Sequence, residues 1–143
     1  MLDVVAIPGH DETSIAIYDR RTGLFLTGDT MYPGRIYINM ADHTIFTASA
    51  DRLVNFAQTR IITHVLGTHI EQRGPYVDYP AGTTFAPNED RLQLTYGQLL
   101  ELQQAVHDIG DDGKIVQRAF STFSTGGAYP RCDPLLPDGR PRG

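Results

Sequence analysis

Two apolar runs on either side of a helical stretch leave this chain little topological choice. Residues 24–27 and 61–66 read as strands, and between them Phe46, Ala50, Leu53 and Ala57 fall at i, i+4, i+7 and i+11, one face of a helix over 44–59. A strand–helix–strand crossover makes its two strands parallel and its connection right-handed. The segment ahead of it is antiparallel in character. Residues 4–7 form a β-branched-rich run stopped by Pro8-Gly9, and residues 14–18 resume with apolar side chains at Ile15 and Ile17. Asp19-Arg20-Arg21-Thr22-Gly23 then reads as a hairpin loop, with Gly23 where a positive φ is usually required.

This order has a functional consequence. In a meander of the first three strands, the first and third run the same way, and the crossover adds a fourth in that direction. Three short pieces end these strands: Pro8-Gly9-His10, Thr27-Gly28-Asp29-Thr30 and Gly67-Thr68-His69. His10, Asp29 and His69 are therefore expected at one edge of one sheet, each beside a glycine that lets the backbone turn sharply. Two imidazoles flanking a carboxylate suit a divalent metal, zinc above all, provided rigid strands hold the loops. Each piece alone is common by chance, and the weight lies in their order and shared edge.

With 143 residues, 41% of them apolar, the chain has material for one domain and a core. Twelve basic against seventeen acidic residues, without a Lys/Arg cluster that tracks a phosphate backbone, argue against nucleic acid and against an anionic membrane surface as partners. The single cysteine, Cys132, excludes an internal disulfide and a Cys-rich zinc knuckle, and reads as an incidental thiol. No apolar run approaches the roughly 20 residues of a membrane span, and no signal-peptide order opens the chain, so a cytoplasmic location is expected.

Pro33, Gly34, Tyr32 and Tyr37 mark an irregular connection after Asp29, and residues 71–89 read as a long Gly/Pro-punctuated loop of functional length. A second helix starts at a capping box, Thr95 with Gln98, reinforced by Leu94 and Leu99 at hydrophobic-staple spacing. Leu99, Leu102, Val106 and Ile109 give its buried stripe, and Gly110 can end it in a left-handed conformation. Residues 114–123 suggest one further strand. Eight of the last eighteen residues are Gly or Pro, which predicts an ordered portion over 1–125 and a disordered tail over 126–143. No internal repeat occurs at any period.

The run Pro8-Gly9-His10 with Thr13-Ser14-Ile15, then Leu26-Thr27-Gly28-Asp29-Thr30, then Leu66-Gly67-Thr68-His69, resembles the C-terminal half of the metallo-β-lactamase superfamily, over about residues 3–110. That resemblance implies an α/β fold, half of an αββα sandwich. It implies a hydrolase acting by metal-bound hydroxide on an ester, thioester, lactone or amide, as in glyoxalase II-like enzymes. Two zinc ions would be the usual cofactors, with iron or manganese as other guests. His10 would match a ligand of the first metal, Asp29 the bridging carboxylate and catalytic group, and His69 a ligand of the second. The family's H-x-H-x-D-H motif does not occur in these residues. The expectation is therefore a fragment that lacks the other half of the sandwich, with weak metal affinity and little turnover of its own. A rival reading is a noncatalytic module derived from that fold, its sheet face covered by a partner chain or a second copy in a homodimer.

A mononuclear 2-His-1-carboxylate iron oxygenase would use the same three ligands, although such sites commonly place a histidine and the carboxylate close together in sequence. Tyr76 and Tyr79, in the loop after His69, are candidate substrate-binding residues together with Glu71, and packing of the loop is the competing role. Arg35 is expected to face water. His64 reads as a structural strand histidine, and His43 and His107 as surface groups.

Overall fold

The computed structural model describes residues 1–110 and 115–125, with side chains up to Phe123 in the last segment. The expected tail, 126–143, and Lys114 lie outside the described residues. Alternation and turn chemistry place the first three strands close to expectation: β1 Leu2–Ala6, β2 Ile15–Asp19 and β3 Leu24–Gly28. They form an antiparallel meander, Val4 opposite Ile17 and Ile17 opposite Leu26, and Gly23 turns the second hairpin at φ 74°. Helix α1, His43–Ala57, returns the chain to β5, His64–Gly67, which pairs parallel to β3. Between β3 and α1 lie β4, Gly34–Ile38, and a single 3-10 turn, Met40–Asp42.

Beyond β5, the segment 71–89 holds a short hairpin, β6 Gln72–Gly74 and β7 Val77–Asp78. Strand β8, Gln93–Leu94, completes a five-stranded sheet in the order β1-β2-β3-β5-β8. Helix α2, Tyr96–Ile109, begins at the capping box, with Thr95 Oγ1 accepting from the Gln98 amide and Gln98 Oε1 accepting from the Thr95 amide. Its stripe Leu99, Leu102, Val106 and Ile109 is fully buried. Gly110 ends the helix with a positive φ of 61° but an extended ψ of −173°, so it is not the left-handed cap expected.

Two corrections follow from strand pairing over long sequence distances. Residues 115–125 carry two strands, β9 Val116–Arg118 and β10 Ser121–Thr125, where one was expected. Strand β10 also pairs parallel to β4, Ser121 opposite Gly34 and Phe123 opposite Ile36, so the connection after Asp29 is part of a second, three-stranded sheet β4-β10-β9. Tertiary pairing supplied what local alternation around Pro33-Gly34 did not advertise.

The core lies on one face of the larger sheet. Val5, Ala16, Tyr18, Phe25, Val65 and Leu94 point inward beneath α1, which contributes Phe46, Ala50, Leu53, Val54 and Ala57, and α2 packs on α1 and on the smaller sheet. Tyr18, Phe25 and Phe56 meet as an aromatic trio, the last two stacked with ring centroids 5.4 Å apart. Among the described residues, nothing comparable covers the other face of the larger sheet. In register across it run Val4, Ile17, Leu26 and Leu66, flanked by Leu2 and Ile15, with Val4 63% and Leu26 42% exposed. Among the described residues, no helix is long and apolar enough to cross a membrane.

Candidate metal centre

Strands β1, β3 and β5 all end at the same edge, so the turns that follow them bring His10, Asp29 and His69 together as the motif order requires. His69 Nε2 stands 3.1 Å from Asp29 Oδ1, and His10 Nε2 stands 3.9 Å from Asp29 Oδ2. Both imidazoles thus present the same ring nitrogen to opposite oxygens of one carboxylate. His10 keeps its Nε2 free for this because its Nδ1 lies 3.3 Å from the Tyr37 carbonyl, an arrangement in which Nδ1–H donates. The three side chains are partly exposed, 27% for His10, 46% for Asp29 and 45% for His69.

Three groups that carry no ligand character in the sequence complete the surroundings. Thr68 Oγ1 donates to Asp29 Oδ1 in a short hydrogen bond. Thr27 Oγ1 donates to the Met31 carbonyl, pinning the turn that carries Asp29. Tyr32, 2% exposed, stacks on the His69 ring at a centroid distance of 4.0 Å and an interplanar angle of 25°, while its hydroxyl donates to the Arg35 carbonyl. That stack depends on Gly67, because a Cβ there would stand 2.6 Å from Tyr32 Cβ. Thr68 was visible inside its motif, whereas the Tyr32 stack had no sequence signal beyond an aromatic near a turn.

Arg35 does not face water as expected. Its Nε and backbone amide donate to Glu71 Oε2 at 3.2 and 3.1 Å, and its Nη1 donates to the Tyr79 carbonyl at 2.8 Å. Burial works against the guanidinium charge, but Glu71, Tyr37 and Asp78 together outweigh it and raise the Arg35 pKa. Tyr79 is held in its loop, its amide donating to the Glu71 carbonyl and its hydroxyl accepting from the Asn88 amide at 3.0 Å. Tyr76 is 59% exposed at a positive φ of 64°, its amide donating to the Ala119 carbonyl. His43 is buried rather than at the surface, and its Nε2 bridges to the Val106 carbonyl of α2 at 2.9 Å. His107 is at the surface, with Nε2 2.9 Å from Asp51 Oδ1. His64 lies on the outer face of β5 in a cleft with Leu24, Leu66, Arg91, Gln93 and Thr95.

Among the described residues, no three His, Cys, Asp or Glu side chains are grouped so as to hold a metal ion. Imidazole and carboxylate are donor types that zinc accepts, and here Asp29 Oδ1 is already engaged by Thr68 and His69. Beside His10 a cleft of about 470 Å3 is walled by Pro8, Asp11, Glu12, Asp42 and Ile45.

No protein-family profile matches the chain, and no solved structure matches it. It is similar to the acyl-coenzyme A thioesterase MBLAC2 of Gallus gallus, 30% identical over 78 residues that cover 51% of this chain and 27% of that protein. The match thus spans about a quarter of the relative's length. It hints at the metallo-β-lactamase superfamily and at a hydrolase, and at nothing more specific.

Proposed function

We propose that residues 1–125 form the C-terminal portion of a metallo-β-lactamase-type sandwich and carry one part of a metal-dependent hydrolase centre. The observation that carries this reading is the convergence of His10 and His69 on the two oxygens of Asp29 at one sheet edge. The thioesterase likeness supports it, as does the apolar face of the five-stranded sheet that the described residues leave uncovered.

His10, Asp29 and His69 would hold the metal, zinc being the best chemical fit. A bound divalent ion supplies an acidified water and a Lewis acid for the substrate carbonyl. The chain's own contribution is positional. Asp29 offers one oxygen to each histidine, the Tyr37 carbonyl fixes the His10 ring, and the Tyr32 face fixes that of His69. The cleft beside His10 offers room for an acyl group, and its carboxylates Asp11, Glu12 and Asp42 disfavour an anion there. Tyr76, exposed on the loop after His69, is one side chain of that loop open to substrate, while Tyr79 and Glu71 shape the loop through Arg35.

If these three side chains served two ions, each ion would keep at most two of them, so affinity is expected to be low compared with a catalytic zinc held by three protein ligands. Zinc titration of the purified chain by calorimetry is the test. Binding weaker than about 1 μM that disappears in Asp29→Ala agrees with this reading. Absence of binding even at about 1 mM zinc, or binding indifferent to Asp29, would remove the metal site. Tight uptake of two ions per chain would instead show a complete centre. The uncovered sheet face favours one second reading, a noncatalytic module that pairs with its own copy, and that reading expects a cooperative homodimer and no zinc dependence.

A further inference from the structure

At the opposite end of β3 from Asp29, roughly 20 Å away along the strand, a cleft of about 730 Å3 opens between the loop 19–23 and the loop 58–63. Its volume is that of a small-molecule site. Its walls hold Arg20, Arg21 and Arg60, with Thr22, Thr59 and Thr63 beside them. A quarter of the chain's twelve basic residues thus gather in one cleft of a chain whose net charge is −5.

The cleft is preformed. Tyr18 Oη donates to the Ile61 carbonyl at 3.0 Å, the Thr63 amide to the Gly23 carbonyl at 2.9 Å, and Thr63 Oγ1 to the Thr22 carbonyl at 3.0 Å. Gly23 permits the close approach, since a Cβ there would lie 2.7 Å from the Ile61 carbonyl oxygen.

The neighbouring acids are already engaged. Asp3 accepts from Arg20 Nε and Nη2 at 2.7 and 2.6 Å, and Asp19 accepts from Thr22 Oγ1 and from the Arg21 amide. Arg60 answers the end of α1 by donating to the Phe56 carbonyl, and its guanidinium lies 3.6 Å above the Phe56 ring. Among the described residues, each of these two arginines retains unshared N–H donors, and the exposed Arg21 side chain makes no hydrogen bond or ion pair. Counting Asp3 and Asp19 against the three arginines leaves an excess of one positive charge, with fork-shaped donors that suit phosphate oxygens. The Ile61 side chain, 79% exposed on the rim, offers an apolar surface to whatever carries the phosphate.

We propose that this cleft binds a small organic phosphate bearing two or more negative charges, independently of the Asp29 site. The test is calorimetric titration of the full chain with ADP and, separately, with inorganic pyrophosphate, at low salt and with EDTA present so that metal at Asp29 plays no part. ADP is expected to saturate, to bind more tightly than pyrophosphate, and to weaken as salt rises. Arg21→Glu, at an exposed side chain with no hydrogen bond or ion pair among the described residues, should lower ADP affinity at least tenfold with an unchanged circular dichroism spectrum. Arg73→Glu, at the exposed Arg73 of β6, should leave it unaltered. Failure of ADP to saturate by about 1 mM, or equal loss in both variants, would overturn the site. Equal affinity for ADP and pyrophosphate would overturn the organic part of the proposal.

Discussion

The ring of His69 lies face to face with that of Tyr32, 4.0 Å between centroids, so the imidazole whose Nε2 reaches Asp29 Oδ1 at 3.1 Å is oriented by the face of a buried phenol as well as by the carboxylate. Tyr32 itself is fixed at both ends, by the close backbone approach at Gly67 and by its hydroxyl on the Arg35 carbonyl. The same arginine holds Glu71 and the Tyr79 carbonyl, so Tyr32 links the candidate ligand to the loop that follows it.

Replacing Tyr32 with Leu is therefore expected to cost about 2–3 kcal/mol of stability, in the range for truncating a large buried side chain. It should also weaken zinc binding about tenfold, the usual scale for losing a group that orients a metal ligand. Tyr32→Phe retains the stack and should lose about 1 kcal/mol with little change in zinc affinity. Urea denaturation and zinc calorimetry on the two variants separate these roles, and equal zinc affinity in Tyr32→Leu and the parent would dismiss the orienting one.

Gly67→Ala makes the complementary case from the backbone side. The new methyl group would meet Tyr32 Cβ at 2.6 Å with β5 and the Asp29 turn fixed on either side, so the stack must open or the strand must shift. A loss of about 1–3 kcal/mol is expected from overpacking. Thermal unfolding measures it, and a Tm equal to that of the parent would show that the approach is looser than the structure describes.

The parts of this architecture legible in the sequence are those set by neighbours in sequence. The meander, the crossover from β3 to β5, and α2 with its Thr95–Gln98 box all arise from alternation, helical spacing and capping within a few residues. The shared edge of His10, Asp29 and His69 follows from strand direction alone. Strand β4 was illegible because its partner β10 lies 87 residues away, Gly34 against Ser121, and nothing local at Pro33-Gly34 announces a parallel ladder. The same distance problem hid the Arg35–Glu71 pair and the His43 bridge to Val106, where a polar side chain reads as solvated until its partner is known.

Helix α2 offers a test of a locally encoded feature. Thr95→Ala removes the acceptor for the Gln98 amide and should destabilise the chain by about 1 kcal/mol. Equilibrium denaturation should show a lower midpoint at unchanged slope. A change in slope would mean that the cap also governs how much surface unfolding exposes.

The pairing of α1 with α2 has an acid-sensitive element. Asp51 accepts from His107 Nε2 and from Gln103 Nε2, and these hydrogen bonds, His107 first, lower its pKa below the ordinary 3.8. A carboxylate whose pKa is lower folded than unfolded contributes stability that is fully present above about pH 5 and is lost as pH falls through the folded value, below 3.8. Because both partners are more than a third exposed, the effect is about 0.5 kcal/mol after screening. Asp51→Asn should therefore be less stable than the parent at pH 6 and equal to it near pH 2, a convergence measured by urea titration at the two values. A constant gap would assign the loss to packing.

The uncovered face of the five-stranded sheet makes the last prediction. Val4, Ile17, Leu26 and Leu66 stand in register on one surface, and burying exposed leucine or valine is worth roughly 1.5–3 kcal/mol per side chain. Five strands about 4.8 Å apart and about 17 Å long present only some 400 Å2 in plan, half of the roughly 800 Å2 per partner in a stable interface. Two copies meeting on this face should therefore associate weakly and in proportion to concentration. Leu26→Lys places a charge at the centre of the row, where the side chain is already 42% exposed, so it should leave the monomer folded while abolishing that association. Sedimentation across a concentration series reads the difference. A parent chain that stays monomeric, or a Leu26→Lys chain that associates equally, would show that the apolar face does not drive self-association, and a tight dimer in the parent would place the contact on a larger surface than this one.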